Sequence, residues 1–416
     1  MTESTFRTTG ARPPAALLDG VRVLDLTNVL SGPFATYQMA LLGAEVIKVE
    51  NPSGGDLARK LGASAKLNGN MMGASFQAQN AGKKSLAIDL KTPNGREVLL
   101  KLVQTADVLV ENFRPGVMAR LGLDYDTLSK INPGLVFCAI SGFGQNGPLR
   151  KKPAYDQIIQ GMSGIMSVTG TAEVNPLRVG FPAADSIGGL NAAMATLAAL
   201  YARSRTGKGQ YIDVSMLDSS IAAMGWVMSN FLSAGAETVP IGNDNMTAAP
   251  SGTFVARDGP LNIAANKDEH FANLCVLIEC EDLLTDPRFS EREARKQNRA
   301  ALSAEINTAL ARNDVAHWVE TLTNAGVPAG PVLNVGDVLA HPQIIERRLV
   351  QDLGSIDEGE QATRVLRTGY RFEDSEPAAR THPPRLGQHS VEVLRNLGID
   401  DAEISALIEK GIISAQ

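Results

Sequence analysis

The sequence predicts an α/β layer fold with a parallel sheet, and three observations carry that expectation. The first is "VRVLDL" (21–26), a helical stretch "PFATYQMALLGA" (33–44), then "EVIKVE" (45–50). Two apolar strands joined through a helix make a crossover, and a crossover implies parallel pairing. The second is that the alternation continues. The third is the composition, 44% hydrophobic and 20% charged over 416 residues, which is that of an ordinary globular chain.

The elements follow in order. The helix at 33–44 opens on Pro33 and closes on Gly43, the usual asymmetry of helix ends. "NGREVLLKLVQTA" (94–106) reads as a helix and "DVLVEN" (107–112) as a strand. "YDTLSKIN" (125–132) reads as a helix and "LVFCAISGFG" (135–144) as a strand. The uncharged run 186–202 is too short and too polar to span a bilayer, so it reads as a buried helix. A short strand then leads into a helix from about Ser215 to Ser233. "PSGTFVARDGPLNIAA" (250–265) reads as a hairpin with Asp258-Gly259 at its turn. Helices follow around 267–279, 298–311 and 314–325, and Pro328, Gly330 and Pro331 mark a boundary. Strands and a closing helix (389–412) complete the chain. The domain plan is an N-terminal arm (1–17), a large domain of 18–224 with 331–416, and a small domain of 225–330.

The bulk numbers exclude several functions. A net charge of −6 and a pI near 5.5 disfavour a nucleic-acid partner. The three cysteines form neither a disulfide framework nor a metal motif, which fits a reducing cytoplasm. The N-terminal stretch has no apolar core of signal-peptide type, and no membrane partner is expected. All five histidines lie at or after His270, and neither GxSxG nor HExxH occurs. Acid–base chemistry in the first 269 residues therefore falls to carboxylates, Tyr, Lys or Cys. Glu50 ends the second strand as a ribose-binding acid would, but the first turn, "TNVLSGPFA", lacks GxGxxG. That absence disfavours a nicotinamide oxidoreductase.

Several residues remain as candidates. Lys83, Lys84 and Lys91 surround a short strand, and Asn112 and Arg114 stand where another ends. Open α/β sheets bind ligands at such ends, and Arg and Lys there suit phosphate. The same residues also read as a solvated charged rim. "SGFGQNGP" (141–148) is a glycine-rich loop, and Asp156 follows beside Tyr155. Asp185 stands alone in "RVGFPAADSIGGL" (178–190), with Gly188 and Gly189 behind it. Each acid reads either as a helix cap or as a reacting group.

Taken together, the chain resembles the class III CoA-transferases, which include formyl-CoA and carnitine CoA-transferases and the α-methylacyl-CoA racemases. The stretches that carry the resemblance are "VLDLTNVLSGPFATYQMALLGAEVIKVENPSGGD" (23–56), "NAGKKSLAIDLK" (80–91) and "ADVLVENFRPGVMARLGLDY" (106–125). "AISGFGQNGP" (139–148), "AYDQIIQGMSG" (154–164), "AADSIGG" (183–189), "TGKGQYIDVSMLD" (206–218) and "AGVPAGPVLNVGDVLAHPQI" (325–344) add to it.

The resemblance implies a Rossmann-like large domain built from N- and C-terminal parts, plus a small α+β domain, in an interlocked-ring homodimer. It makes Asp185 the nucleophile. Its carboxylate attacks an acyl-CoA thioester to give a mixed anhydride, and the released thiolate then gives an aspartyl-CoA thioester. The acceptor acid reverses the sequence. Near a helix N-terminus Asp185 is expected to stay ionised. Asp156 and Tyr155 become active-site neighbours, and the amides about Gly188 and Gly189 become oxyanion donors.

For CoA the resemblance points to Val29, Leu30, Lys91, Asn112, Phe113, Arg114 and Arg120. Leu30 departs from the Gln of some members. Pro153 replaces a lysine of the formyl-CoA enzymes, with Lys151 and Lys152 upstream. Racemases of the family carry His where this chain has Tyr155, and a Tyr is a poor base at neutral pH. Transfer is therefore expected over epimerisation. "IGNDNMTAAPSG" (241–252) lacks the glycine run of the formyl-CoA enzymes, which disfavours an oxalate–formate pair and turns Asn243 and Asn245 toward the acyl group. Succinyl-CoA with a small dicarboxylic acid is the expected pair, with no permanent cofactor and no metal.

Overall fold

The computed structural model describes residues 16–356 and 361–415, so most of the expected N-terminal arm lies outside the described residues. The chain divides into two compact units. One takes residues up to Ile165, Val179–Ala234 and Gln343 onward; the other takes Met166–Arg178 and Gly235–Pro342.

The first unit is built on a seven-stranded sheet. Its strands are β1 (Arg22–Leu26), β2 (Glu45–Glu50), β3 (Lys84–Ile88), β4 (Val108–Glu111), β5 (Val136–Ser141), β6 (Tyr211–Ser215) and a final β12 (Ile413–Ser414), while β10 (Val350–Asp352) and β11 (Arg364–Leu366) make a separate antiparallel pair. The order is β12-β3-β2-β1-β4-β5-β6. All pairings are parallel except β12 on β3. Both faces are covered, which is why these strands read as continuous apolar runs. Leu24, Ile47, Leu109 and Phe137 pack on one face, and Val23, Val46, Val108 and Ile140 on the other.

Helix α1 (Ser31–Leu41) joins β1 to β2 and starts two residues earlier than Pro33 suggests. Helices α2 (Pro93–Val103) and α3 (Tyr125–Ile131) lie where periodicity places them. Next come α4 (Asp156–Met162) and the long α5 (Ala183–Thr206). The single helix expected over 215–233 is two, α6 (Met216–Ala223) and α7 (Gly225–Ala234). Gly225, a poor helix former, follows the break at Met224. The expected closing helix also divides, into Ser390–Asn396 and Asp401–Glu409. Gly398 turns left-handed between them at φ +77°, and the Asp400 carboxylate caps the second by accepting the Glu403 amide at 2.8 Å.

Beneath the sheet's carboxyl end lies a set of buried ion pairs. Lys83 Nζ meets Asp25 at 2.9 Å, Lys48 meets Asp56 at 2.9 Å, and Arg59 meets Glu50 at 2.7 Å. Lys83 also donates to Thr36 Oγ1, the Asn80 side chain and the Pro33 carbonyl. Lys83 is therefore an interior strut, not a phosphate ligand. Lys84 is spent on Glu45 and Glu392 at the surface. The pattern "GKK" shows charge but not which lysine points inward.

The second unit has a three-stranded antiparallel sheet of β7 (Ser251–Ala256), β8 (Gly259–Ala264) and β9 (Ala329–Pro331). Ala256 pairs with Gly259, so the hairpin turns on Arg257-Asp258, one residue before the expected place. The Asp258 carboxylate accepts the Val315 amide at 2.8 Å. Helices Asp268–Leu277, Arg299–Leu310 and Val315–Asn324 pack over Phe254, Leu261 and Ile263, and Trp318 of the last helix joins that core. Pro331, expected to mark a boundary, closes the edge strand of this sheet.

Candidate active site

The strand order reverses between β1 and β4. Chain segments leaving two such strands diverge and leave a crevice. Here the crevice is a cavity of about 250 Å³ in the first unit. Its walls come from the loops after β1, β4 and β5, from Arg150, from Lys152–Tyr155, and from Asp185 on α5 and Met216 on α6.

The loop after β1 is held from below. Val29 takes a left-handed backbone at φ +67°, which L-residues disfavour. The Asp56 carboxylate accepts the Val29 amide at 2.9 Å, while Lys48 pairs with Asp56. Asn112 clamps the preceding residue: its Oδ1 accepts the Asn28 amide, and its Nδ2 donates to the Asn28 carbonyl, both at 2.8 Å. The Asn112 carboxamide is thus committed to shaping the loop. Glu111 accepts the Phe113 amide at 2.7 Å. Burial pushes the Glu111 carboxyl up to about 8, with Asp213 adding to the shift.

Asp185 sits in the first turn of α5 but does not cap it. Pro182 is the cap residue and makes no side-chain bond. Asp156 caps instead: its Oδ1 accepts the Ala184 amide at 2.9 Å and the Asp185 amide at 3.4 Å, and its Oδ2 accepts from Gln160 at 2.7 Å. Asp156 is 6% exposed. Among the described residues no group donates to the Asp185 carboxylate. Burial pushes that carboxyl up to about 7, and the Asp156 charge adds to the effect. The expectation that the helix end keeps Asp185 ionised is corrected here. The helix amides are taken by Asp156, and Asp185 is left with desolvation and a like charge.

The two glycines serve packing. A Cβ on Gly188 would stand 3.0 Å from Met216 Cγ and 3.1 Å from Ser31 Oγ. One on Gly189 would stand 2.6 Å from the Ser31 carbonyl. Helices α1 and α5 come this close only because side chains are missing. Both glycines lie beyond the first turn, within the helix's own hydrogen-bond ladder. Their amides are therefore not free for an oxyanion.

The remaining expected residues separate by place. Val29, Leu30, Phe113, Arg114 and Tyr155 line the Asp185 cavity with Asn112. Asp156 lies behind it, buried. Lys91 lines a neighbouring cavity of about 220 Å³ with apolar walls that include Leu26, Val49 and Ile88. Asn28 and Phe113 stand in both cavities. Arg120 is exposed on the short helix Val117–Leu121 and lines neither. Pro153 and Lys152 line the Asp185 cavity, as does Arg150. Asn243 and Asn245 belong to the second unit, and the Asn245 side chain accepts the Thr247 amide at 2.8 Å. Sequence reasoning missed Ser31, Ser141, Arg150 and Met216. Only Arg150 had a readable signal, the basic run "RKK" after the glycine-rich loop.

The chain is thus an α/β protein that sets an unpartnered carboxylate on a helix beside the switch point of a mostly parallel sheet. The family model for CoA-transferase family III matches residues 18–390, and the chain belongs to that family. It is an enzyme that transfers CoA, with CoA thioesters as substrates. The chain is 39% identical to an acetyl-CoA:oxalate CoA-transferase of Acetobacter aceti, over 95% of this chain and 99% of the relative. It is 35% identical to a succinyl-CoA:glutarate CoA-transferase of Mus musculus, over 95% of this chain and 90% of the relative. The crystal structure of a CaiB/BaiF family protein from Brucella suis superposes with a TM-score of 0.80 at 36% identity, over 91% of this chain and 99% of that one. Among the described residues no helix is long and apolar enough to cross a membrane.

Proposed function

We propose that the chain moves CoA from succinyl-CoA to a small dicarboxylic acid, with Asp185 as the nucleophile. One observation carries the assignment: the Asp185 carboxylate lines the cavity at the switch point and has no partner there. A carboxylate with a raised pKa is a more basic and so a better nucleophile once ionised. Its oxygen adds to the thioester carbon, and CoA leaves as thiolate, giving a mixed anhydride. The thiolate then adds to the aspartyl carbonyl and expels the donor acid. The acceptor carboxylate attacks the aspartyl-CoA thioester, and the thiolate finishes on the acceptor's acyl carbon. No net proton transfer is required.

The neighbouring cavity supports the CoA part of the reading. Its apolar walls suit a flat base, and Lys91 in its lining and Arg114 in the adjoining Asp185 cavity supply charge for phosphate. Two relatives named for dicarboxylates, oxalate and glutarate, support the acceptor class. The reading includes a homodimer. Exposed Trp226, Leu232 and Val335, at 78%, 80% and 75%, are large apolar residues of the kind an interface covers. It also places the chain in the reducing cytoplasm.

A CoA-exchange screen tests it. Succinyl-CoA and acetyl-CoA are mixed with oxalate, glutarate and other mono- and dicarboxylic acids, and new thioesters are read by mass spectrometry. The wild type should form a new acyl-CoA, and Asp185→Ala should lose at least about 10³-fold. Equal exchange by both proteins removes Asp185 from the chemistry. Deuterium uptake at the α-carbon without exchange would make the chain an epimerase instead.

A further inference from the structure

Two buried hydroxyls in the Asp185 cavity lack any bond. Ser31 opens α1 and is 3% exposed; Ser141 closes β5 and is 9% exposed. Neither Oγ has a hydrogen-bond partner among the described residues. Three other buried serines of the same unit are satisfied. Ser85 donates to Glu50 at 2.7 Å, Ser220 to the Met216 carbonyl at 2.8 Å, and Ser390 to the Ser414 carbonyl at 2.7 Å. Buried polar groups are normally paired. Two exceptions in one cavity, beside an unpartnered carboxylate, point to an acceptor that arrives with the substrate.

The surroundings fit a developing negative charge. Ser31 Oγ lies 3.1 Å from where a Gly188 Cβ would stand, so the missing side chain makes room for this hydroxyl. Residues 185 and 188 share one face of α5, which brings Ser31 beside the face that carries Asp185. Ser31 is also the first residue of an eleven-residue helix. Its cap residue, Leu30, makes no side-chain bond, and Pro33 has no N–H. The amides of Ser31 and Gly32 have no acceptor in a preceding turn, so the positive end of the α1 dipole lies at this wall.

We propose that the Ser31 and Ser141 hydroxyls donate hydrogen bonds to the thioester oxygen as it becomes an oxyanion. The inference rests on Asp185 as the nucleophile. As its oxygen bonds to the thioester carbon, the carbonyl π pair moves onto the oxygen, and the two hydroxyls hold that charge. When the intermediate collapses, the pair returns, the C–S bond breaks, and CoA departs as thiolate. Hydroxyl donors rotate to follow the oxygen. They are worth more to the transition state than to the ground-state carbonyl.

The test is steady-state kinetics of full-length Ser31→Ala, Ser141→Ala and the double variant, with the donor–acceptor pair that the wild type exchanges. Each single change should lower kcat by about 10²-fold, near the low end for loss of one oxyanion donor. KM for the acyl-CoA should stay within about threefold, because the interaction belongs to the transition state. Melting temperatures should hold or rise, since each change deletes an unpaired buried hydroxyl. Wild-type kcat in both serine variants, with Asp185→Ala inactive, overturns the inference and leaves the nucleophile standing. So does a KM increase at unchanged kcat, which would assign the hydroxyls to ground-state binding. Full exchange by Asp185→Ala overturns both.

Discussion

Two polar regions of the first unit lie within one loop of each other and are built on opposite rules. Under the loop after β1, three buried acids have counter-charges: Asp25 with Lys83, Asp56 with Lys48, Glu50 with Arg59. Above the same loop, Asp185 has no donor on its carboxylate and faces the like charge of Asp156. Burial alone raises the Asp25 carboxyl, yet Lys48 and Lys83 outweigh it and hold the group far below the ordinary range. Burial raises Asp185 as well, and nothing offsets it. The difference separates scaffold from chemistry. Paired charges set the backbone of Asn28–Ser31, and unpaired groups wait for a substrate. The Val29 amide is the joint between them, because Asp56 holds it in a backbone form that the residue would otherwise avoid.

The largest expected effect of breaking this contrast is at Lys83. Lys83→Met removes the cation bonded to Asp25, leaving that carboxylate the charge of Lys48 alone, and strips Thr36, Asn80 and the Pro33 carbonyl of a donor. Loss of one partner from such a pair costs about 3–5 kcal/mol. Urea unfolding should show that loss in the midpoint at an unchanged slope. A change under about 1 kcal/mol would mean that the cluster is open to water, and the contrast with the Asp185 cavity would fall.

The next effect is on the other side of the joint and has the opposite sign. Asp185 has its folded pKa raised to about 7 from an ordinary 3.8. Between those values the folded state holds a proton that the unfolded chain has released. Stability is therefore whole below about pH 4 and falls as pH rises through 7. Asp185→Asn carries no charge and escapes this loss. The variant should match the wild type near pH 4 and exceed it by about 2–4 kcal/mol at pH 8, since each unit is worth about 1.4 kcal/mol. The wild-type exchange rate should rise with pH across the same interval. A stability gap that is flat from pH 4 to 8 would place Asp185 among ordinary solvated acids.

How far the sequence shows this contrast depends on range. The strands of the large sheet are legible because both faces are buried and each strand is a local run. Asp185 is legible as an isolated acid before a long uncharged helix. Its electrostatics are not, because the residue that takes the helix amides, Asp156, stands 29 positions earlier and meets it only in the fold. Gly188 and Gly189 read equally well as open backbone for a ligand or for a neighbouring helix, and Ser31 decides that only in space. Lys83 and Lys84 are one step apart in sequence and lie on opposite sides of the surface. The alternation of a strand predicts that they diverge but not which one turns in. Unpaired hydroxyls at Ser31 and Ser141 leave no trace in composition, because being unpaired is a property of neighbours.

The smallest expected effect is at Tyr155, and it sharpens the assignment of chemistry within the cavity. Tyr155 lines the cavity yet is 69% exposed, next in sequence to the buried Asp156. Transfer through Asp185 asks nothing of it beyond its ring, whereas α-proton exchange would need a base at that wall. Tyr155→Phe keeps the ring and removes only the hydroxyl, so CoA exchange should stay within about twofold of wild type. Loss of a hundredfold or more, with unchanged melting temperature, would bring the Tyr155 hydroxyl into contact with the reacting atoms. The division between paired scaffold and unpaired chemistry would then have to include a third, solvent-fed group at the rim.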